Sequence, residues 1–226
     1  MKIFVINLEQ DIDRKLSIQN QLEKVNLDAE FMTGVYGREL SDEQLKKICP
    51  DFNKIYLTLG EVGCSMSHLN VYKKIIDNNI PISLVLEDDA KLDHRLPNVL
   101  RAIESIAMSE KPIVLLLSKP NEYFDSFKKQ LIDEYQIVNV IDAAFAHGYV
   151  INQAAAKKLY HFLTPIRFAA DEWKLFRELG VVKLKAVVPP VIELTDMYLN
   201  SSIGNDRTDE RTSLDQKHRK KPFILN

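Results

Sequence analysis

Glu87-Asp88-Asp89 follows Ile82 to Leu86, a run that is apolar except for Ser83. A short run of this kind is a buried strand, so three acids stand at its carboxyl end. On an extended backbone alternate side chains share a face, which directs Glu87 and Asp89 towards one ligand and Asp88 elsewhere. Carboxylates so arranged are hard oxygen ligands for a divalent cation of the Mg²⁺ or Mn²⁺ type, which completes its shell with water and phosphate oxygens. A nucleoside diphosphate supplies such oxygens. The triplet is equally compatible with one acid capping the next segment and two being solvated, so alone it decides nothing.

The elements that must position these acids can be read from the apolar spacing. Ile3-Phe4-Val5-Ile6 is a buried strand ending at polar Asn7, and a helix follows from Asp11, with Leu16, Ile18, Leu22 and Val25 at helical spacing and Asp11 or Asp13 as its cap. Residues 29–32 form a second strand, and Ser41-Asp42-Glu43-Gln44 opens a short capped helix that stops before Pro50. Val62, Met66, Leu69, Tyr72, Ile75 and Ile76 mark a helix over 61–79, ended by Asn78-Asn79-Ile80-Pro81. Beyond the acids the pattern predicts a helix over 96–108, a strand over 113–117 and a polar, aromatic loop from Lys119 to Asp125. Strands over 137–141 and 145–151, helices over 153–163 and 171–179, and an extended stretch over 181–194 broken by Pro189-Pro190 complete it. Strands alternating with helices imply an α/β fold with a Rossmann-like, mainly parallel central sheet flanked by helices. Ligands of such sheets sit beyond the carboxyl ends of strands, where Asn7 and Glu87 to Asp89 both fall.

Composition narrows the function classes. The chain has 226 residues, 30 Lys+Arg against 32 Asp+Glu and 46% hydrophobic residues, which suits one globular domain and gives no basic surface for nucleic acid. We expect a single domain over 1–199 and a polar, basic tail over 200–226. No apolar stretch approaches the roughly 18 residues of a membrane span, and MKIFVINLEQD lacks a signal peptide's apolar region, so a cytoplasmic protein is expected. Cys49 and Cys64 are too few for a disulfide scaffold and make no CxxC pair; both read as reduced thiols, Cys64 as core. A phosphatase of the haloacid dehalogenase type needs Asp where Glu87 stands, and a response-regulator receiver needs acids where Asn7 stands.

Three separated blocks share one order. Ile3-Phe4-Val5-Ile6-Asn7-Leu8 with Arg14, then Leu59-Gly60-Glu61-Val62-Gly63-Cys64-Ser65-Met66-Ser67-His68, then Leu84-Val85-Leu86-Glu87-Asp88-Asp89-Ala90, together resemble glycosyltransferase family 25 over about residues 1–175. His147-Gly148-Tyr149-Val150-Ile151, Ala154 to Leu159 and Asp171 resemble the family's later strand, helix and acid. That family contains bacterial enzymes extending the lipooligosaccharide core and has collagen galactosyltransferases among its relatives. The resemblance implies a GT-A type fold, a UDP-sugar donor, and transfer of a hexose, galactose or glucose, with inversion to a saccharide acceptor of lipooligosaccharide or lipopolysaccharide. Glu87-Asp88-Asp89 is similar to the Asp-x-Asp motif of such enzymes, which implies Asp89, with Glu87, on Mn²⁺ or Mg²⁺ and Asp88 near the ribose or base.

Inversion requires a carboxylate to take the proton of the attacking hydroxyl. The resemblance points to Asp171, with Glu172 as the fallback and the Trp173 indole as a surface for a sugar face. Asn7 and Arg14 are expected to contact uracil, ribose or phosphate, and Glu61, Ser67 and His68 to lie near the donor at the start of a helix. Each has a plainer reading: Asp171 as a helix cap, Trp173 as core, Arg14 as a surface ion pair, His68 as a structural histidine. His147 departs from the small or neutral residue expected there. Ser201, Ser202, Asp206 and Arg207 suggest a lid over the donor, and Lys217 to Lys221 a contact with the anionic inner membrane face, each basic residue adding about 1 kcal/mol. The competing class is a non-catalytic nucleotide-sugar or carbohydrate-binding domain of the same fold.

Overall fold

The computed structural model describes residues 1–104 and 111–196. Its elements run in the order β1 (Lys2–Asn7), α1 (Ile12–Lys24), β2 (Glu30–Thr33), α2 (Asp42–Ile48), α3 (Leu59–Asp77), β3 (Ile82–Glu87), β4 (Ala90–Leu92) and α4 (Leu96–Glu104). Then come β5 (Ile113–Leu116), β6 (Glu122–Ile132), β7 (Tyr135–Asp142), β8 (Gly148–Asn152), α5 (Gln153–Phe162), α6 (Trp173–Glu178), β9 (Lys183–Val188) and β10 (Ile192–Leu194). The expectations placed on 200–226, including Ser201, Ser202, Asp206, Arg207 and Lys217 to Lys221, lie outside the described residues.

Pleat alternation sorts the buried strands onto two apolar layers. Phe4, Ile6, Val85, Val114 and Leu116 face the layer that holds α3, α5 and α6, through residues such as Val62, Tyr72, Leu159 and Phe176. Ile3, Val5, Leu84, Leu86 and Leu115 face the other, against Ile18 and Leu22 of α1 and Val99 and Ile103 of α4. Leu16, placed on the apolar stripe of α1 by spacing, is instead half exposed. Neither Asp11 nor Asp13 caps α1 with its side chain, whereas Ser41 and Gln44 form the expected capping box of α2.

The α/β class is as expected, and the main sheet has eight strands in the order β2-β1-β3-β8-β5-β9-β7-β6. Its pairing is mixed. β1 runs parallel to β2 and β3, and β5 to β9, but β8 runs antiparallel between β3 and β5, and β7 is antiparallel to both β9 and β6. Alternating element types do not fix strand direction, which is why the expectation of a mainly parallel sheet overshoots. Lys119 to Asp125 is not simply a loop either: β6 begins at Glu122, and as an edge strand with register shifts and mostly exposed side chains it carries no burial pattern to read. The short strand just beyond the acids is also absent from the sequence expectations. β4 pairs with β10, setting Ala90 opposite Leu194, and Gln21 of α1 clamps β4 by donating to the Ala90 carbonyl at 3.1 Å and accepting from Leu92 N at 2.9 Å.

Candidate functional site

β1 and β3 lie side by side with Ile6 opposite Glu87, so the turn Asp88-Asp89 opens beyond two parallel strand ends. A cleft forms there, walled by the three acids, Arg14, the first turns of α3 and the segment Gly34 to Gly37. That segment presses closely on α3. A Cβ on Gly37 would fall 1.8 Å from the Leu59 carbonyl oxygen, and one on Gly63 would fall 2.4 Å from that of Val35, so only glycine fits either place. Ser67 Oγ joins the two by accepting from Val35 N at 2.8 Å and donating to the Gly63 carbonyl at 2.7 Å.

On one side of the cleft Arg14 gathers two acids. Its Nε donates to Asp88 Oδ1 at 2.7 Å, and its Nη2 lies 2.5 Å from the same oxygen and 3.0 Å from Asp89 Oδ2. Asn7 Nδ2 holds the other Asp88 oxygen at 2.7 Å and the Asp11 carbonyl at 3.1 Å. Thr195 fixes the turn from the opposite side, its N and Oγ1 donating to the Asp89 carbonyl at 2.9 and 3.1 Å. Asp89 Oδ1 is buried and has no hydrogen-bond partner among the described residues. Burial, followed by the charges of Glu87 and Asp88 and against the pull of Arg14, raises the Asp89 carboxyl to about 7. Burial also raises Asp88, opposed by Arg14 and Asn7.

Glu87 turns the other way. Its Oε1 is hydrogen-bonded to His68 Nε2 at 3.1 Å and lies 4.0 Å from Cys64 Sγ. His68 Nδ1 meets Tyr149 Oη at 2.7 Å, and Tyr149 Oη meets Tyr72 Oη at 2.9 Å, a buried chain leading away from the cleft. Burial acts to raise Glu87, but the His68 hydrogen bond and the nearby His68, His147 and Arg14 groups prevail and hold it below the ordinary range. His147 packs nearby, buried, with Nδ1 unpartnered among the described residues and its ring held more neutral by burial against the opposing charge of Glu87.

Asp171 and Glu172 fall outside the cleft lining. The segment Phe145 to His147 links Asp171 to it: Glu87 N donates to the His147 carbonyl at 3.2 Å, and Phe145 N donates to Asp171 Oδ2 at 3.3 Å. Trp173 Nε1 donates to the Phe145 carbonyl at 2.9 Å. Phe145 is thus gripped at both backbone groups with a φ of 66°, costly for a large side chain, and the residue is 48% exposed. The expectation that Trp173 offers its indole to a sugar is overturned: it is 0% exposed and packs edge-on against Tyr149 and Phe176. α6 starts at Trp173, with exposed Glu172 at its N-cap position and no side-chain cap there.

Several sequence expectations are therefore relocated. Arg14, Ser67, His68, Glu87, Asp88 and Asp89 do meet at the cleft. Asn7 stands behind it, orienting Asp88. Glu61 is drawn into a capping box, its Oε2 accepting from Thr58 N at 2.9 Å and Thr58 Oγ1 at 3.2 Å while its own N–H is capped by Thr58 Oγ1. Ser67 and His68 lie well inside α3 rather than at its start. Glu87 and Asp89 do not pair by strand alternation, because β3 ends at Glu87 and a turn orients the next two side chains. Cys64, expected in the core, is half-buried on the cleft wall; its i,i+4 spacing to His68 was the available signal.

The acid turn suits a hard divalent cation: two carboxylates share one guanidinium, and the buried Asp89 Oδ1 has a lone-pair direction unclaimed among the described residues. Asp89, with Glu87 beside it, would hold that ion.

Residues 1–173 match the family described as glycosyltransferase family 25 (LPS biosynthesis protein). Procollagen galactosyltransferase 1-A of Xenopus laevis is 29% identical over 175 residues, covering 70% of this chain and 28% of that protein. A glycosyltransferase 25 family member of Aedes aegypti is 30% identical over 171 residues, with 70% and 27% covered. The chain thus spans about 28% of the length of the curated relatives it matches. Among solved structures, apo mouse xyloside xylosyltransferase 1 is similar at a TM-score of 0.44 and 11% identity, covering 79% of this chain and 81% of that one.

Proposed function

Because the chain belongs to glycosyltransferase family 25, we propose that it transfers a hexose, galactose or glucose, from a UDP donor to a saccharide acceptor of bacterial lipooligosaccharide or lipopolysaccharide, with inversion at the anomeric carbon. The observation that carries this reading is the acid turn at the ends of two parallel strands, with Arg14 across it and the buried Asp89 Oδ1 open to a ligand. Mn²⁺ or Mg²⁺ bound by Asp89 and Glu87 would supply charge neutralisation of the departing diphosphate.

The chain's own residues account for the remaining steps. Arg14, already between Asp88 and Asp89, offers its guanidinium to a phosphate oxygen, a charge-assisted bond that strengthens as charge builds on the leaving group. Asp88, held by Asn7 and Arg14, keeps a fixed orientation for the ribose hydroxyls or base. His68 and Ser67 shape the wall against which the sugar lies. Asp171 takes the proton of the acceptor hydroxyl at a carboxylate oxygen, and exposed Glu172 is the alternative base. The acceptor enters past Phe145, half exposed and hydrogen-bonded through its N–H to Asp171.

No described helix is long and apolar enough to cross a membrane. Action at the cytoplasmic face, with the basic run Lys217 to Lys221 against anionic lipid, is part of the same proposal.

The test is nucleoside diphosphate release from a panel of UDP-sugars with Mn²⁺, then with excess chelator, for the wild type and Asp89→Ala. Chelator-sensitive release from one preferred donor, lost in the variant, supports the transferase reading. Metal-dependent UDP binding with no turnover on any donor or acceptor replaces it with the non-catalytic one.

A further inference from the structure

Cys64 and His68 stand four residues apart on α3 and so share one helix face, the spacing by which a helix presents two ligands to one ion. Glu87 reaches the same point from the end of β3. Cys64 Sγ, an imidazole nitrogen of His68 and a Glu87 carboxylate oxygen all lie within 4.8 Å of one another. The carboxylate oxygen is 3.1 Å from the imidazole nitrogen and 4.0 Å from the sulfur. A tetrahedral ion with bonds of about 2.0–2.3 Å needs its ligand atoms about 3.5 Å apart, so small side-chain rotations suffice. The fourth direction opens into the cleft that all three residues line.

We infer that Cys64, His68 and Glu87 form a second cation site, for an ion of the Zn²⁺ class, which shares Glu87 with the acid turn. Ligand chemistry separates the two sites. Carboxylates alone favour Mg²⁺ or Mn²⁺, whereas a thiolate with an imidazole favours Zn²⁺ and its neighbours. The site also has the outer support that metal-binding histidines use: His68 Nδ1 is held by Tyr149 Oη at 2.7 Å, which leaves Nε2 as the ligand atom and fixes the ring. Binding replaces the Cys64 S–H bond by a sulfur–metal bond and releases one proton to solvent. It also requires the His68 proton on Nδ1, donated to Tyr149 Oη. The Tyr149 and Tyr72 hydroxyls, 2.9 Å apart with either able to donate, accommodate that direction.

The experiment is titration of chelator-stripped, full-length protein with Co²⁺, a spectroscopic substitute for Zn²⁺, without nucleotide, so its outcome is separate from that of the transferase assay. One equivalent of Co²⁺ should give a near-ultraviolet thiolate-to-cobalt band and strong tetrahedral visible absorption, both displaced by Zn²⁺. Cys64→Ser, checked for folding by circular dichroism, should lose the thiolate band, while Cys49→Ser keeps it. Tyr149→Phe should weaken binding by about 10- to 100-fold, the usual effect of losing an outer-sphere partner. Absence of the band in folded wild-type protein, or its survival in Cys64→Ser, would overturn the assignment.

Discussion

Asp88 and Asp89 are held by an amide and a guanidinium that reach them from β1 and α1, whereas Glu87, one residue earlier, is held by an imidazole and lies beside a thiol on α3. Three consecutive acids thus divide between two walls of one cleft. The difference arises where the strand ends: Glu87 still obeys the pleat of β3, and the next two side chains are aimed by a turn that Arg14, Asn7 and Thr195 hold. The lesson is that an acidic triplet after a strand is two half-sites, and its partners, rather than its own spacing, determine what each half binds.

The sharpest break in this comparison is chemical. Asp171→Asn keeps a carbonyl oxygen to accept from Phe145 N but cannot take a proton, so kcat should fall by about 10²- to 10⁴-fold with little change in donor KM or melting temperature. A comparable loss for Asp171→Ala, accompanied by a lower melting temperature, would distinguish the clamp from the base. Asp89→Asn should lower transfer by about 10²- to 10³-fold yet raise the metal-free protein's stability by about 1 kcal/mol, some 2–4 °C by calorimetry, because it removes a buried charge from an acid-rich cluster. Glu87→Gln, at the junction of the two walls, should weaken both Mn²⁺ and Co²⁺ binding by about tenfold or more in parallel titrations; an effect on one ion only would separate the half-sites.

The smaller effects mark residues that only build the walls. Thr58→Ala should cost about 0.5–2 kcal/mol of stability through loss of the α3 cap, measured by denaturant unfolding, while UDP affinity stays within twofold. Thiol labelling separates the cysteines. Burial, with the Asp51 charge adding to it and Arg167 opposing, pushes the Cys49 thiol up to about 11, so it remains protonated at pH 8 and becomes a thiolate only as the pH rises through that value. Iodoacetamide at pH 8 should therefore label Cys64 alone, and Zn²⁺ should protect it.

Much of this was legible in the sequence where burial imposes a pattern. The runs 3–6, 82–86 and 113–117 announced interior strands, and the Ser41 and Gln44 pair announced a capped helix, because each is dictated by local chemistry. β6 was not legible, since an exposed edge strand need not alternate. Strand direction was not legible either, being fixed by how β8 returns between β3 and β5. In the site, the acids stood out by their types and Arg14 entered through the family resemblance, but the capture of Glu61 by Thr58 and of Asn7 by Asp88 depends on rotamers that spacing does not encode. Trp173 looked like a sugar platform beside an acid, and only packing against Tyr149 and Phe176 places it in the core.

The most direct test of the central claim is calorimetric titration of UDP into the metal-free protein, repeated with Mn²⁺ and with the Asp89→Asn variant. We predict binding that requires Mn²⁺ and disappears in the variant; equal UDP affinity with and without metal, or Mn²⁺-dependent binding that survives loss of Asp89, would contradict the assignment of the acid turn.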